Sequence, residues 1–301
     1  MTATAPRRRR TLRDMTYRDS FWVLVFLGPN LIGFLIFTLW PVIMTFVLSL
    51  SSYDILTPMK FIGLQNYRDL FQDEVFLKVF KNTWVYTLTT VPIGVTLSLF
   101  LAIALDKSDR GIRFFRGAYF IPVISSMVSI GVVWQWLYNP EFGLINNLLE
   151  KIGINGPMWL TSDKTAMIAL IIVAIWKNLG YNMLIFLAGL QSIERNYYEA
   201  AEIDGAGWWQ QFRNITLPLL TPTTFFVLVM AFIGSFQVFD LVQLMTRGGP
   251  GRATSTLVHY IYQNGFRFFY TGYASALAYL LFALVLAITL INMLFQKKVV
   301  Y

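Results

Sequence analysis

The sequence predicts an all-α protein that crosses a membrane several times. Of its 301 residues, 56% are hydrophobic and only 13% are charged, and the mean hydropathy is +0.57. A soluble globular protein usually has about twice that charged fraction. The apolar residues also gather in runs of about 20 or more, the length of helix that crosses a bilayer core. Because backbone groups in lipid must be paired within their own segment, these runs are predicted to be helices.

Six apolar stretches are long enough to be membrane spans. They are predicted at residues 21–50, 83–105, 117–137, 165–190, 217–239 and 274–296. Several prolines lie within them and are expected to mark kinks or positions buried in a helix bundle: Pro29, Pro41, Pro92 and Pro122. An even number of spans places the N-terminus and the C-terminus on the same side of the membrane.

The basic residues predict which side that is. Fourteen of the 24 lysines and arginines lie on the N-terminal tail or in segments that would share its side, whereas nine lie in the opposite loops. Lys and Arg are in excess on cytoplasmic segments. We therefore predict a basic cytoplasmic tail over residues 1–20 and one six-helix membrane domain over residues 21–301, with both termini cytoplasmic. Since the net charge of +8 follows the membrane face, no nucleic-acid partner is expected.

Composition and motifs argue against several function classes. The chain has no cysteine and one histidine, His259, so no metal site is expected and His259 is interpreted as an ordinary polar loop residue. A phosphate-binding loop needs a Gly-Lys pair, which the sequence lacks, and no motif typical of an enzyme is present. The predicted spans contain no Asp or Glu, since Asp240 lies just past the end of one span. Ion-coupled carriers usually need such a carboxylate.

A polar segment at residues 191–216 separates two of the apolar runs. Asn196 is expected to cap a short helix over residues 197–204, with Glu199 reaching back to the cap. Gly205 is expected to end that helix, because glycine readily adopts the left-handed backbone conformation of a helix C-terminus. The segment is therefore predicted to present a short helix to water.

The spacing within this segment matches a known motif. Its residues are Glu199, Ala200 and Ala201, then Gly205 after three residues, then Ile215, Leu217 and Pro218 after nine more. This pattern, EAA-x3-G-x9-I-x-LP, resembles the EAA loop of membrane subunits in binding-protein-dependent ABC importers. The segments AGLQSIERNYYEAAEIDGA, QLMTRGGP and FIGLQNYRDLF are further similar to sugar-type permeases such as the membrane subunits of the maltose transporter. Only the basic N-terminus falls outside the resemblance.

The resemblance implies the type I permease fold of ABC importers, in the cytoplasmic (inner) membrane of a prokaryote. It implies that residues 191–216 form a coupling loop, in which Glu199 would pair with a basic group on an ATP-hydrolysing subunit. Ala200 and Ala201 would permit a close fit, and Gly205 would make the turn. The implied partners are a second homologous permease, a dimer of ATP-binding subunits and an extracytoplasmic solute-binding protein. ATP and magnesium would be bound by the ATPase, so no cofactor is expected on this chain.

Candidate solute-pathway residues lie within the spans. Lys177 carries the one charge well inside a span, so its ammonium must face the bundle interior, pair with a carbonyl or partner group, or snorkel. Asn178 and Tyr181 share its helix face, and the resemblance implies that this stretch lines the solute cavity. The prediction extends to further polar residues of the fifth and third spans: Ser235, Gln237, Ser125, Ser126 and Ser129. Helix–helix hydrogen bonding is the alternative role for them.

The expected function is import of a sugar or oligosaccharide by alternating access, driven by a partner ATPase docked on the EAA loop. Because a lysine in the pathway also suits an anionic solute, a glycerol phosphate or another sugar phosphate is the alternative substrate. A stand-alone carrier and a non-transport membrane scaffold are the alternatives from other classes.

Overall fold

In the computed structural model of the chain, residues 17–54, 56–106 and 109–299 are described. These residues are almost entirely helical. The predicted basic tail lies outside them apart from residues 17–20, which begin the first helix.

A long N-terminal helix, a small hairpin and a set of broken or surface helices make up the first half of the chain. The helices are α1 (Tyr17–Phe34), α2 (Trp40–Ser49), α3 (Gln65–Gln72), α4 (Glu74–Ala104), α5 (Arg110–Ile124), α6 (Met127–Leu137) and α7 (Leu144–Lys151). The strands β1 (Ser51–Ser52) and β2 (Lys60–Phe61) pair in antiparallel orientation. A π-helical turn at Leu35–Leu39 joins α1 to α2 directly before Pro41. Such a turn accommodates the hydrogen bond that proline cannot donate.

The second half of the chain contains two long helices separated by shorter ones. These are α8 (Ala166–Gln191), α9 (Arg195–Ile203), α10 (Trp208–Gln211), α11 (Leu217–Leu219), α12 (Thr221–Phe236), α13 (Asp240–Met245), α14 (Leu257–Tyr262) and α15 (Thr271–Val299). π-helical turns at Phe212–Thr216 and Gln263–Arg267 follow α10 and α14.

The described residues contain four helices that are long and apolar enough to cross a membrane. They are Trp22–Ser49, Glu74–Ala104, Ala166–Gln191 and Thr271–Leu294. Two further pairs pass the same test together but are bent: Gly111–Ile124 with Met127–Leu137 by 101°, and Trp208–Leu219 with Thr221–Phe236 by 64°. The number of spans is therefore four, or up to six if each bent pair counts as one.

Two predicted spans differ in shape from the expectation. The span predicted at 117–137 is not one helix, because Ser125 and Ser126 adopt extended backbone angles and interrupt it. The span predicted to begin at Leu217, with Pro218 in its first turn, follows a helical run that already starts at Trp208. Apolar composition predicts that a segment enters the membrane, but it carries no information about the backbone angles of two residues inside it.

The helices α4 and α8 form the centre of the bundle. Near one end of α8, Leu170 and Val173 are fully buried with Val242. Towards the other end, Phe186 of α8 is buried with Leu220. The N-terminal helix lies outside this core, since none of the most apolar window within Trp22–Ser49 is buried.

A partly buried carboxylate joins three elements at the start of α4. Asp73 caps α4 by accepting a hydrogen bond from the Val75 backbone N–H at 2.8 Å. Its other oxygen accepts hydrogen bonds from the hydroxyls of Tyr260 at 2.6 Å and Tyr273 at 2.8 Å. Burial by itself would raise the pKa of Asp73, but these hydrogen bonds outweigh it and hold the pKa below its usual value. The network fixes α14 and α15 against α4.

His259 is not the polar loop residue that was expected. It lies in α14, is only 1% exposed, and its Nδ1 is 3.0 Å from the Ser255 hydroxyl. Burial, together with the charges of Arg252 and Arg267, lowers the pKa of His259 to about 4. The error arose because α14 follows a glycine-rich turn, and residues near such a turn are expected in loops. The turn itself, at residues 248–250, is predicted correctly by the sequence. Its Gly249 N–H donates to the Thr246 carbonyl at 2.9 Å.

Acidification is therefore expected to destabilise the segment that contains His259. The unfolded chain binds this proton below pH 6.5, whereas the folded chain binds it only near pH 4, so the stabilisation is complete above 6.5 and is lost as the pH falls towards 4. At pH 5 the loss amounts to about 2 kcal/mol. Thermal unfolding at pH 7.5 and 5.0 measures it in wild type and in His259→Gln, which cannot titrate. An equal pH dependence in both proteins would contradict the assignment.

Candidate functional site

A cavity of about 330 Å³ opens inside the bundle, among α4, α8, α12 and α13. Its polar lining residues are Tyr86, Thr90, Lys177, Asn178, Tyr181, Asn182, Ser235, Gln237 and Asp240. Apolar groups such as Ile175 and Phe239 form much of the rest of the wall. A mostly apolar pocket with a few convergent polar groups is the usual form of a small-molecule site.

The α8 wall carries three of the predicted pathway residues. Asn178 donates from Nδ2 to the Ala174 carbonyl at 2.9 Å, which leaves its side-chain oxygen as an acceptor. Tyr181 is 43% exposed, so its ring and hydroxyl are open to the cavity. Lys177 donates from Nζ to the carbonyls of Pro122 and Ser125, at 3.3 Å each. Of the alternatives given for this ammonium, which were facing the bundle interior, pairing with a carbonyl or partner group, or snorkelling, the structure shows pairing with carbonyls.

The predicted serines and glutamine divide between two places. Ser235 and Gln237, at the end of α12, line the cavity. Ser125, Ser126 and Ser129 do not line it: the first two form the break between α5 and α6, and Ser129 is exposed on α6. Ser125 instead donates from its hydroxyl to the Ile121 carbonyl at 2.8 Å. This bond lies within α5, so it is neither a solute contact nor the hydrogen bond between helices that was the alternative.

Two cavity residues were missed on α4. One face of α4 carries Tyr86, Thr90 and Gly94, which follow one another at intervals of one helical turn. This spacing within the second apolar run could have identified them as residues that share a face. Within the described part of the chain, the buried Thr90 hydroxyl has no hydrogen-bond partner.

A carboxylate that was placed outside the spans also reaches the cavity. Asp240 begins α13, and this short helix folds back so that Asp240 lines the cavity with Lys177. The argument that the spans carry no acidic residue was correct for the predicted bounds, but it overlooked an acid one residue beyond them. The cavity therefore contains one cationic and one anionic side chain.

The second candidate region is the EAA loop, whose helix α9 runs over Arg195–Ile203. The expected cap at Asn196 is wrong, because Glu194 occupies the cap position and its side chain makes no capping hydrogen bond. Glu199 and Ala200 are exposed, as a docking surface requires. The helix is held from behind by Tyr198, whose hydroxyl lies 2.9 Å from the Thr216 hydroxyl.

The turn after α9 has the predicted form. Gly205 adopts φ +77°, a conformation that favours glycine, and the Ala206 N–H donates to the Ala201 carbonyl at 2.8 Å. The chain then enters α10, where the Trp208 ring stacks on Phe212 at 5.6 Å. The remaining motif residues follow in the π turn and in α11: Ile215, Leu217 and Pro218.

A small cavity of about 150 Å³ lies at the base of this loop, between the end of α4 and the aromatic residues Tyr198 and Trp208. Asp106 lines it. Burial raises the pKa of Asp106, although a hydrogen bond with Gln191 and the charges of Arg116 and Arg195 oppose this effect. Asp106, which follows the end of α4, therefore interacts electrostatically with Arg195, the first residue of α9.

Comparison with known proteins agrees with this architecture. The profile of the family described as binding-protein-dependent transport system inner membrane component matches residues 75–301. The chain is 34% identical to the arabinooligosaccharides transport system permease protein AraP of Bacillus subtilis, over 93% of this chain and 90% of AraP. It is 33% identical to the sn-glycerol-3-phosphate transport system permease protein UgpA of Agrobacterium fabrum, over 96% and 99% respectively.

A solved structure matches at the level of the fold. A chain from the crystal structure of a bacterial alginate ABC transporter, in complex with an alginate pentasaccharide-bound periplasmic protein, superposes with a TM-score of 0.84. The two chains are 25% identical, and the match covers 93% of this chain and 96% of the other. The present chain combines a central bundle, two bent helix pairs and a projecting EAA helix. It belongs to the family of binding-protein-dependent transport system inner membrane components.

Proposed function

We propose that this chain is a permease subunit of an ABC importer for a sugar or oligosaccharide in the cytoplasmic membrane of a prokaryote. The observation that carries the proposal is the presence, in one chain, of an exposed EAA helix and a cavity inside the spans lined by Asn178, Tyr181 and Gln237. Amide and phenol groups are suited to the hydroxyl-rich surface of a sugar. The name of AraP, a permease for arabinooligosaccharides, supports the same substrate class.

In this proposal each bent helix pair is one span, which gives six spans with both termini in the cytoplasm. The excess of lysines and arginines on the segments that share a side with the N-terminus supports this orientation. A second, similar permease completes the pathway, and a solute-binding protein delivers solute from outside. ATP and magnesium are bound by an ATPase dimer that docks on the EAA loop. Closure of that dimer moves α9, and the bundle alternates between inward and outward access.

A phosphorylated solute is the second candidate. The similarity to UgpA, a permease for sn-glycerol-3-phosphate, and the ammonium of Lys177 in the cavity wall favour it. The two carbonyls already bonded to Lys177 and the carboxylate of Asp240 weigh towards a neutral solute. Uptake of radiolabelled neutral oligosaccharides and of sugar phosphates into cells that carry the complete transporter separates the two candidates.

The proposal is tested by co-expressing the chain with its candidate ATPase, second permease and binding protein. Glu199→Lys is expected to abolish co-purification of the ATPase and its stimulation by loaded binding protein, because an exposed anion that pairs with a partner's cation is replaced by a like charge. Glu150→Lys, the same exchange at an exposed site in the last turn of α7, serves as the control and is expected to keep the ATPase bound. ATP hydrolysis with and without loaded binding protein is the measurement.

Three results would count against the proposal. Wild-type chain that never associates with an ATPase, together with uptake into vesicles without ATP, would support a stand-alone carrier. An associated ATPase whose hydrolysis ignores loaded binding protein would support a scaffold. Retention of full stimulation in Glu199→Lys would remove the coupling role from α9.

A further inference from the structure

The break between α5 and α6 leaves backbone carbonyls without their helical donors. Ser125 and Ser126 have ψ values of 142° and 135°, which turn the N–H groups of Ser126 and Met127 away from the carbonyls of Pro122 and Val123. Inside a membrane such carbonyls must find other donors, because no bulk water is present to supply them.

Side chains supply hydrogen-bond donors at the break. The Ser125 hydroxyl donates to the Ile121 carbonyl, one turn earlier in α5, at 2.8 Å. The Lys177 ammonium donates to the carbonyls of Pro122 and Ser125, one on the last turn of α5 and one within the break. A cation is also favourable at this position, since the C-terminal end of a helix carries partial negative charge. The ammonium, on the neighbouring helix α8, thus supplies hydrogen-bond donors that the broken span lacks.

Both halves of the broken span are anchored to α8. The half before the break packs on α8, where Gly180 allows the Tyr119 carbonyl to approach the helix closely. The half after the break contacts α8 through the rings of Trp134 and Trp176, at 5.4 Å. It is also tied to α13 by Gln135, whose Nε2 donates to the Leu244 carbonyl at 2.8 Å and to the Met245 carbonyl at 3.3 Å. The break therefore joins two anchored halves, and the Lys177 bonds lie where they meet.

We infer that Lys177 is a positioning residue for transport: its ammonium holds the break in the third span beside the cavity, and it does not serve as a receptor for charge on the solute. The inference rests on the proposed function for the meaning of transport, but the geometry it concerns belongs to this chain alone. Both Lys177 bonds, at 3.3 Å, are longer than the usual 2.7–3.2 Å range. These two hydrogen bonds can therefore break and re-form as the helices around the cavity move during the transport cycle.

The inference is tested by measuring the angle of the break directly. The chain contains no cysteine, so cysteines placed at Phe114 on α5 and at Val132 on α6 are unique labelling sites, with exposures of 73% and 63%. Nitroxide labels at these two positions report the distance across the break by pulsed electron paramagnetic resonance. The measurement is made on the assembled transporter in lipid nanodiscs, with partner subunits freed of accessible cysteines.

Lys177→Met keeps the length of the side chain and removes its donors. It is expected to broaden or shift the distance distribution and to lower solute-stimulated ATP hydrolysis about tenfold or more, as for loss of a charged hydrogen-bond donor. Lys177→Arg, which still presents donors to both carbonyls, is expected to restore both readouts. Asn178→Leu is the matched control: it removes a polar group from the cavity but none from the break, so it is expected to lower uptake and leave the distance distribution unchanged.

An unchanged distance distribution in Lys177→Met would overturn the inference, whether or not transport falls. If that variant does not assemble, Lys177→Gln replaces it. Because Gln keeps a donor for only one of the two carbonyls, a smaller shift or broadening is expected, and an unchanged distribution would again overturn the inference. Failure of the wild-type complex to respond to loaded binding protein would reject the proposed function instead. The comparison of distances between wild type and the Lys177 variants would still decide the role of Lys177 at the break.

Discussion

Gly180→Ala is expected to prevent the chain from folding stably. A Cβ at this position would overlap the Tyr119 carbonyl oxygen and lie 3.1 Å from the Phe120 Cα, and neither backbone atom can move aside as a flexible side chain would. The helices α5 and α8 would have to separate along their contact. Overpacking of this kind costs about 3 kcal/mol or more, and the apparent Tm is expected to fall by at least about 6 °C.

Thermal unfolding in detergent and the yield of monodisperse protein measure this effect. Gly234→Ala is the matched control, because Gly234 likewise lies within a long apolar helix but nothing lies within 4 Å of the Cβ it would gain. The control is expected to retain the wild-type Tm or exceed it slightly, since alanine favours the helix. A Gly180→Ala protein as stable as the Gly234→Ala protein would show that α5 and α8 do not approach so closely.

Ile203→Glu is expected to release the ATPase almost completely. Ile203 is the last residue of α9, the helix that presents Glu199, and its apolar side chain is 87% exposed. A large apolar side chain displayed to water beside a proposed docking site is best explained as a contact that the partner covers. Loss of such an anchor costs about 2 kcal/mol or more, which corresponds to roughly 30-fold weaker binding.

The affinity of the ATPase for the permease complex in nanodiscs gives the measurement. Ile203→Leu is expected to bind as wild type does, because it preserves the apolar contact. Ile154→Glu, the same change at an exposed isoleucine in the loop after α7, controls for a general effect of added charge. Normal ATPase affinity in Ile203→Glu would show that the end of α9 stays outside the interface.

Hydropathy and motif spacing predicted much of this architecture because they report local chemistry. The apolar runs became the long helices, and the glycine at 205 ended α9 in the left-handed conformation that was expected. The need of Lys177 for a partner also followed from its charge and its depth in a span. Each of these features depends on a few residues that are adjacent in the chain, so the sequence contains the information directly.

Other features depended on which segments meet. The sequence places Asp240 outside a span, but α13 folds back and carries it into the cavity. His259 follows a glycine-rich turn and was expected in water, but the packing of α14 buries it. The four-residue spacing of Tyr86 and Thr90 in the sequence shows that they share one polar face of a helix. Only the position of α8 opposite it shows that this face borders a cavity.

The sequence by itself determined that this is a helical membrane protein, which segments are apolar enough to span a membrane, and which loop carries the EAA motif. Those properties follow from the transfer of apolar residues out of water and from the backbone preferences of single residues. The tertiary structure alone decided that the third span is broken at Ser125 and that Lys177 completes its hydrogen bonding. A backbone carbonyl can be satisfied from a helix more than fifty residues away, and no local pattern in the sequence records that pairing.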